Sequence, residues 1–183
     1  LHSRAIITDL DINIHKSNST FFADADLGRA ALLSTLLGEG QATLGANFIL
    51  ASVTCRFRQE IRPYQAYAVS SRILAWNEKA LYVVTYFLKP GRELPLDIDV
   101  LGGPGAVLSD DKYRKAVFAV LVSKYVFKAG RTTVAPVEVL TAAGLLTSQD
   151  QTDAGGVHNG FQDMIDVDQA VQHGLEYVRA CME

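Results

Sequence analysis

The stretch from Phe21 to Leu37, FFADADLGRAALLSTLL, limits the possible folds more than any other part of this chain. It is built from good helix formers and ends before Gly38 and Gly40, which suit a helix stop. Phe21, Phe22, Ala25, Leu27, Ala30, Leu32, Leu33, Leu36 and Leu37 cover most of its circumference. A helix apolar on nearly every side is a buried helix, so the rest of the chain must wrap it.

The wrapping follows in sequence. Between Ile49 and Ile61 the apolar residues Ile49, Ala51, Val53, Cys55, Phe57 and Ile61 alternate with Ser52, Thr54, Arg56, Arg58 and Glu60, the period of a strand with one face in and one out. Ala66 to Trp76 and Ala80 to Leu88 are separated by Asn77-Glu78-Lys79, a hairpin connection, and the second run is apolar on both faces like a central strand. Pro90-Gly91 breaks it. Arg92 to Asp111, rich in Gly, Pro and Asp, reads as a surface excursion, after which Tyr113 to Lys128 resumes the sheet.

With a short strand at Arg4 to Thr8, the order is strand, helix, then four strands with no helix between them. A doubly wound parallel sheet needs those intervening helices, so the expectation is an α+β domain over residues 1–143, an antiparallel sheet wrapped around a long central helix. Residues 144–160, polar and Gly-rich, read as a linker. Phe161, Met164, Ile165, Val171, Leu175, Val178 and Met182 recur at helical spacing and predict an extra C-terminal helix over 161–183, packed on the domain or on a partner.

Composition removes several function classes. The 183 residues are 49% hydrophobic, enough for one sizeable core. The 17 basic residues are scattered and the net charge is -3, so there is no concentrated basic surface for nucleic acid. The longest apolar stretch, Ala116 to Val122, is far short of the ~20 residues that span a bilayer, and no membrane partner is expected within the given chain. Because the sequence begins at Leu1, an upstream leader or anchor stays open, and with it the compartment, cytoplasmic or other. Cys55 and Cys181 have no metal-ligand spacing, which argues against a zinc site or a disulfide scaffold; Cys55 reads as core.

Immediately before the helix stands TDLDINIHKSNSTFF, Thr8 to Phe22. Asp9 and Asp11 alternate, His15 lies four beyond the second, and Asn18 and Ser19 sit where the helix begins. This segment resembles the signature D-x-D-x-x-G-H-V-N-N-x-x-Y of the 4-hydroxybenzoyl-CoA thioesterase-like branch of the hotdog superfamily, which joins the first strand to the central helix. Asp9, Asp11, His15 and Asn18 occupy the family's positions, with Ile14 for Gly, Lys16 for Val, Ser17 for the first Asn and Phe21 for Tyr. The run FRQEIRPYQAYAVSSRILAWNEKALYVVTYF, Phe57 to Phe87, is similar to the strands of the thioesterase superfamily member 6-like group, and the likeness extends from Arg4 to roughly Leu140.

The resemblance implies a hotdog fold and hydrolysis of an acyl thioester carried on coenzyme A or a carrier protein. It implies no metal and no redox cofactor, coenzyme A entering only with the substrate. It also implies a homodimer or dimer of dimers whose cleft is shared between subunits, and an oxyanion donor at the backbone N–H near Asn18. The helix start offers free N–H groups and the positive end of the dipole to a thioester carbonyl. A carboxylate seven residues earlier, Asp11, can attack that carbonyl or activate water. His15 and the Asn18 side chain are assigned to shaping the loop, His15 also as a candidate substrate contact. Asp9, Lys16, Ser19 and Phe22 complete the candidate substrate site.

Plainer readings stand beside these. Asp9 suits a turn, and Asp24 and Asp26 suit the helix dipole alone. Arg56, Arg58, Arg114 and Arg131 either clamp coenzyme A phosphates or face water. His158 falls in the linker and is given no role. Ile14 lacks the conformational freedom of Gly, and Lys16 either meets a substrate carboxylate, lowers a neighbour's pKa or points to solvent. Two rivals to hydrolysis remain: a biosynthetic enzyme using Asp11, Lys16 or His15 for elimination, isomerisation or cyclisation of a polyketide-like substrate, and a non-catalytic acyl-binding protein.

Overall fold

A computed structural model describes residues 1–92, 94, 111–146 and 160–182. Strand β1 (His2–Arg4) leads through a 3-10 turn (Ile7–Asp9) into helix α1 (Asn18–Leu44). Strands β2 (Asn47–Phe57), β3 (Ala66–Trp76) and β4 (Leu81–Leu88) follow. After a single helical turn at Asp111–Arg114 come β5 (Val117–Ala129), β6 (Thr132–Val134), α2 (Pro136–Ala142) and α3 (Gly160–Met182). All strand pairings are antiparallel, in the order β1-β3-β4-β5-β2, with β6 added to β5. This is the hotdog fold, the α+β architecture expected from the order of elements.

The β3–β4 hairpin forms where the sequence puts it. Asn77 makes the turn, its Oδ1 accepting the Lys79 and Ala80 N–H groups at 3.0 and 2.9 Å. All eight residues of β4 are buried, because both faces of the sheet are covered. Val83 and Phe87 face α1, joined by Phe21, Leu33 and Leu37; Tyr82, Val84 and Tyr86 face the other way and pack with Leu175 and Val178 of α3. Gly174 permits that approach: a Cβ there would lie 2.7 Å from the Leu74 carbonyl oxygen.

Several expectations change. Helix α1 is buried along one row only, Phe21, Ala25, Arg29, Leu33, Leu37 and Gly40, while Leu27 is 65% exposed; the sheet of a single chain covers one side of the helix instead of enclosing it. Gly38 and Gly40 do not stop it. The helix runs on to Leu44 and ends at Gly45, whose φ of 59° is the left-handed cap. Gly40 is small because α2 crosses it, a Cβ there falling 2.4 Å from the Val139 carbonyl oxygen.

Strand β1 is displaced to His2–Arg4, Arg4–Thr8 giving way to the 3-10 turn, and β5 begins at Val117 instead of Tyr113. In β2 the alternation is interrupted by an irregularity between Leu50 and Ser52, so Phe48 packs inward before it and Val53 and Cys55 after it, leaving Ile49 exposed. Elements β6 and α2 were not anticipated. Most of the expected surface excursion and of the expected linker, including His158, lies outside the described residues. Among the described residues no helix is long and apolar enough to cross a membrane.

Candidate active site

The segment between β1 and α1 folds into a narrow turn. Leu10 and Lys16 form a bridge, the Asp11 N–H donates to the His15 carbonyl at 2.9 Å, and the Ile14 N–H to the Asp11 carbonyl at 3.0 Å. Asp11 organises the turn with its side chain as well, Oδ1 accepting the N–H of Asn13 at 2.8 Å and of His15 at 3.4 Å. No donor among the described residues reaches its Oδ2, and the residue is exposed. Closing the turn requires a left-handed residue, and Ile14 takes φ 60°. Ile14 stands where the resembled signature has Gly and lacks that residue's freedom, so the chain adopts this conformation at a cost of roughly 1–2 kcal/mol.

The turn ends at the start of α1. Ser17 is the N-cap, yet its side chain caps nothing and pairs with the Ser19 hydroxyl at 2.9 Å. The N–H groups of Asn18 and Ser19 are thus left open, in the orphan positions of a helix start. Both residues are exposed, and the Asn18 amide makes no hydrogen bond to a described residue. His15 directs Nε2 to Glu60 Oε2 at 2.9 Å. Phe22 is half-buried against the cluster around Phe21, Ile61 and Tyr67.

Beneath the turn lies a polar cluster that sequence reasoning did not assemble. The Lys16 side chain is fully buried rather than pointing to solvent. Its Nζ is 2.8 Å from Asp24 Oδ2, an ion pair not aligned as a hydrogen bond, and 3.7 Å from Asp9 Oδ2. The rings of Tyr67 and Phe21 lie 5.0 and 5.6 Å from it. Tyr67 donates its hydroxyl to Asp24 Oδ2 at 2.6 Å. Burial alone would lower the Lys16 pKa, but Asp24 and Tyr67 outweigh it and hold it above the ordinary lysine value. Burial, reinforced by the bond to Asp24, raises that of Tyr67. At neutral pH Lys16 is therefore an ammonium and Tyr67 a neutral phenol.

A second buried cation, Arg29, occupies the apolar row of α1 and bonds Ser123 and Asp26. Its signal in the sequence was a charge in register with Phe21, Ala25 and Leu33. Tyr67 and Glu60 carried none: a strand residue such as Tyr67 reports its face and not its partners, and Glu60 lies in the loop after β2. Of the candidate phosphate clamps, Arg56 donates to the Ala180 carbonyl and Arg114 pairs with Asp111. Cys55, expected in the core, is half-buried against the Phe21 cluster, and burial pushes its thiol up to about 12. A cavity of about 370 Å³ lined by Gln41, Ala42, Gly45, Ala46, Asn47 and Phe48 lies at the far end of α1, about 35 Å along the helix from Asn18. None of the candidate residues borders it. Among the described residues no cluster of His, Cys, Asp and Glu could hold a metal ion.

Known structures share this fold. A gentisyl-coenzyme A thioesterase, BH1999, aligns with a TM-score of 0.53 over 78% of this chain and 98% of its own, at 16% identity. The thioesterase-like superfamily model matches residues 7–139, and the chain belongs to that family. The thioesterase poxG of Penicillium oxalicum is 38% identical over 165 residues, covering 81% of this chain and 54% of that protein. Protein THEM6 of Xenopus laevis is 32% identical over 81 residues, 44% of this chain and 39% of that protein. The chain spans about half the length of the curated relatives it matches.

Proposed function

We propose that this chain carries a thioester hydrolase site in which Asp11 acts on a carbonyl held at the start of α1. The observation that carries the reading is the division of labour in the Asp11 carboxylate: one oxygen is fixed by the turn, the other takes no donor among the described residues, and the same short turn leads into the uncapped start of α1. In the general-base form, Asp11 takes a proton from water as the oxygen attacks the carbonyl carbon. The carbonyl oxygen gains negative charge facing the N–H groups near Asn18, then the C–S bond breaks and the thiolate leaves to be protonated. In the nucleophilic form, Asp11 attacks directly and water hydrolyses the mixed anhydride. Water is the only co-reactant in either form.

The relatives' names support the thioester class, and coenzyme A or a carrier protein would be the thiol. The same reading includes a second copy of the chain, as dimer or dimer of dimers. Its support is the apolar surface beside the turn, with Ile12 97% exposed, and on β2, where Ile49, Leu50 and Phe57 are exposed at a strand with one free edge.

The test is thiol release from acetyl-, octanoyl-, palmitoyl- and benzoyl-coenzyme A, read with a thiol reagent. Wild-type turnover of at least one of them, lost by about 10²–10⁴ in Asp11→Asn, is the expected result. No release from any, or an Asp11→Asn variant as active as wild type, overturns the reading.

A further inference from the structure

The turn that carries Asp11 is free at its tip and fixed at its base. Ile12 and Ile14 stand in solvent, whereas the Ser17 N–H donates to the Asp9 carbonyl at 2.7 Å and the Lys16 N–H to the Ile61 carbonyl at 2.9 Å. We propose that Lys16 is a positioning residue: its buried ammonium joins Asp9, at the entry of the turn, to Asp24, in the second turn of α1, and so holds Asp11 in place against the helix start. The proposal rests on the reading of Asp11 given above.

The chemistry of the site favours this role over simple filling of space. An apolar side chain would occupy the same volume without the desolvation of an ammonium. What the charge adds is neutralisation of two carboxylates from different segments that would otherwise repel each other across the base of the turn. Asp24 is gripped from two sides, by Lys16 and by the Tyr67 hydroxyl, and Tyr67 belongs to β3. The base of the turn is thereby fixed to both the helix and the sheet. Lys16 also precedes the N-cap, so its displacement would move the open N–H groups together with Asp11.

The experiment compares wild type, Lys16→Met, Asp24→Asn and the double variant, in thiol release from the acyl-coenzyme A panel and in amide hydrogen exchange. In Lys16→Met, kcat should fall about 10²-fold with KM unchanged, as expected when a reacting group is moved and not removed. The amides of Lys16 and Ser17 should lose protection while those of β4 and β5 keep theirs. The double variant should be no worse than the single ones, because removing both charges removes the repulsion; additive losses would mark a packing role and overturn the proposal. So would unchanged protection of the turn, or a rise in KM at constant kcat, which would put Lys16 on the substrate. If Lys16→Met does not fold, Asp24→Asn gives the same readouts. If wild type releases thiol from no substrate, the hydrolase reading falls while exchange alone decides this one: selective loss at residues 16 and 17 upholds it, and retained protection overturns it.

Discussion

The two ends of α1 are built on opposite terms. At the C-terminal end Leu33, Leu37 and Gly40 meet Val139 and Leu140 of α2 and Val83 and Phe127 of the sheet, an apolar contact, with the buried Arg29 one turn before Leu33. At the N-terminal end the chain buries an ammonium, places two carboxylates around it, leaves the helix uncapped and bends Ile14 into a left-handed conformation. The uncapped helix and the left-handed Ile14 cost stability, the carboxylates offset the burial of the ammonium, and together these features arrange one turn. The difference teaches that the far end holds the molecule together while the near end spends part of that stability on geometry.

The largest expected effects separate the ends outright. Asp11→Asn should lose about 10²–10⁴ of any thiol-releasing activity and leave the denaturant midpoint almost unmoved, because the residue is exposed. At the other end, Gly40→Ala should cost about 1–3 kcal/mol by urea titration, since its Cβ meets backbone atoms of α2 that cannot swing aside. Gly38→Ala is the control. Nothing lies within 4 Å of its Cβ, so it should stabilise by up to about 1 kcal/mol through helix propensity. Equal destabilisation by both would mean that α2 does not press on α1 as described.

A smaller effect probes the near end. Ile14→Gly should raise stability by about 1 kcal/mol or less, the relief of the left-handed strain being partly offset by the extra freedom of Gly in the unfolded chain. Little burial is lost, as Ile14 is 65% exposed. A decrease in melting temperature would show that the turn is not strained at this residue.

These contrasts also explain what could be read in the sequence. The order of elements, the Asn77 hairpin and the doubly buried β4 were legible because each is a local pattern, a period or a turn residue. The end of α1 was not, because a glycine admits both a helix stop and a close approach, and only the crossing of α2 decides for Gly40. The face of β2 was obscured by an irregularity that leaves no mark in the pattern of apolar residues. At the candidate site, Asp11 and the helix start could be proposed together because they are neighbours in the chain. The environment of Lys16 was hidden because Tyr67 comes from a strand 51 residues further on, and Asp24 looked like any acid near a helix start.

The near end should also be the one that alkaline solution attacks first. Cys55 packs against the Phe21 cluster, and burial moves its thiol from 9.0 to about 12. A raised value means that the folded protein holds the proton more tightly, so this contribution to stability is complete below pH 9 and is lost as the pH climbs towards 12. Lys16 and the buried Tyr67 and Tyr125 are raised as well, from 10.5, 10.0 and 10.0, so their losses start about one pH unit higher. Melting temperatures of wild type and Cys55→Ala measured from pH 8 to 11 should therefore differ in shape. The variant, with a smaller core, starts lower, stays level to about pH 10 and only then declines, whereas wild type begins its decline near pH 9. Parallel curves would mean that Cys55 is open to water, and that β2 does not seal the near end of the helix.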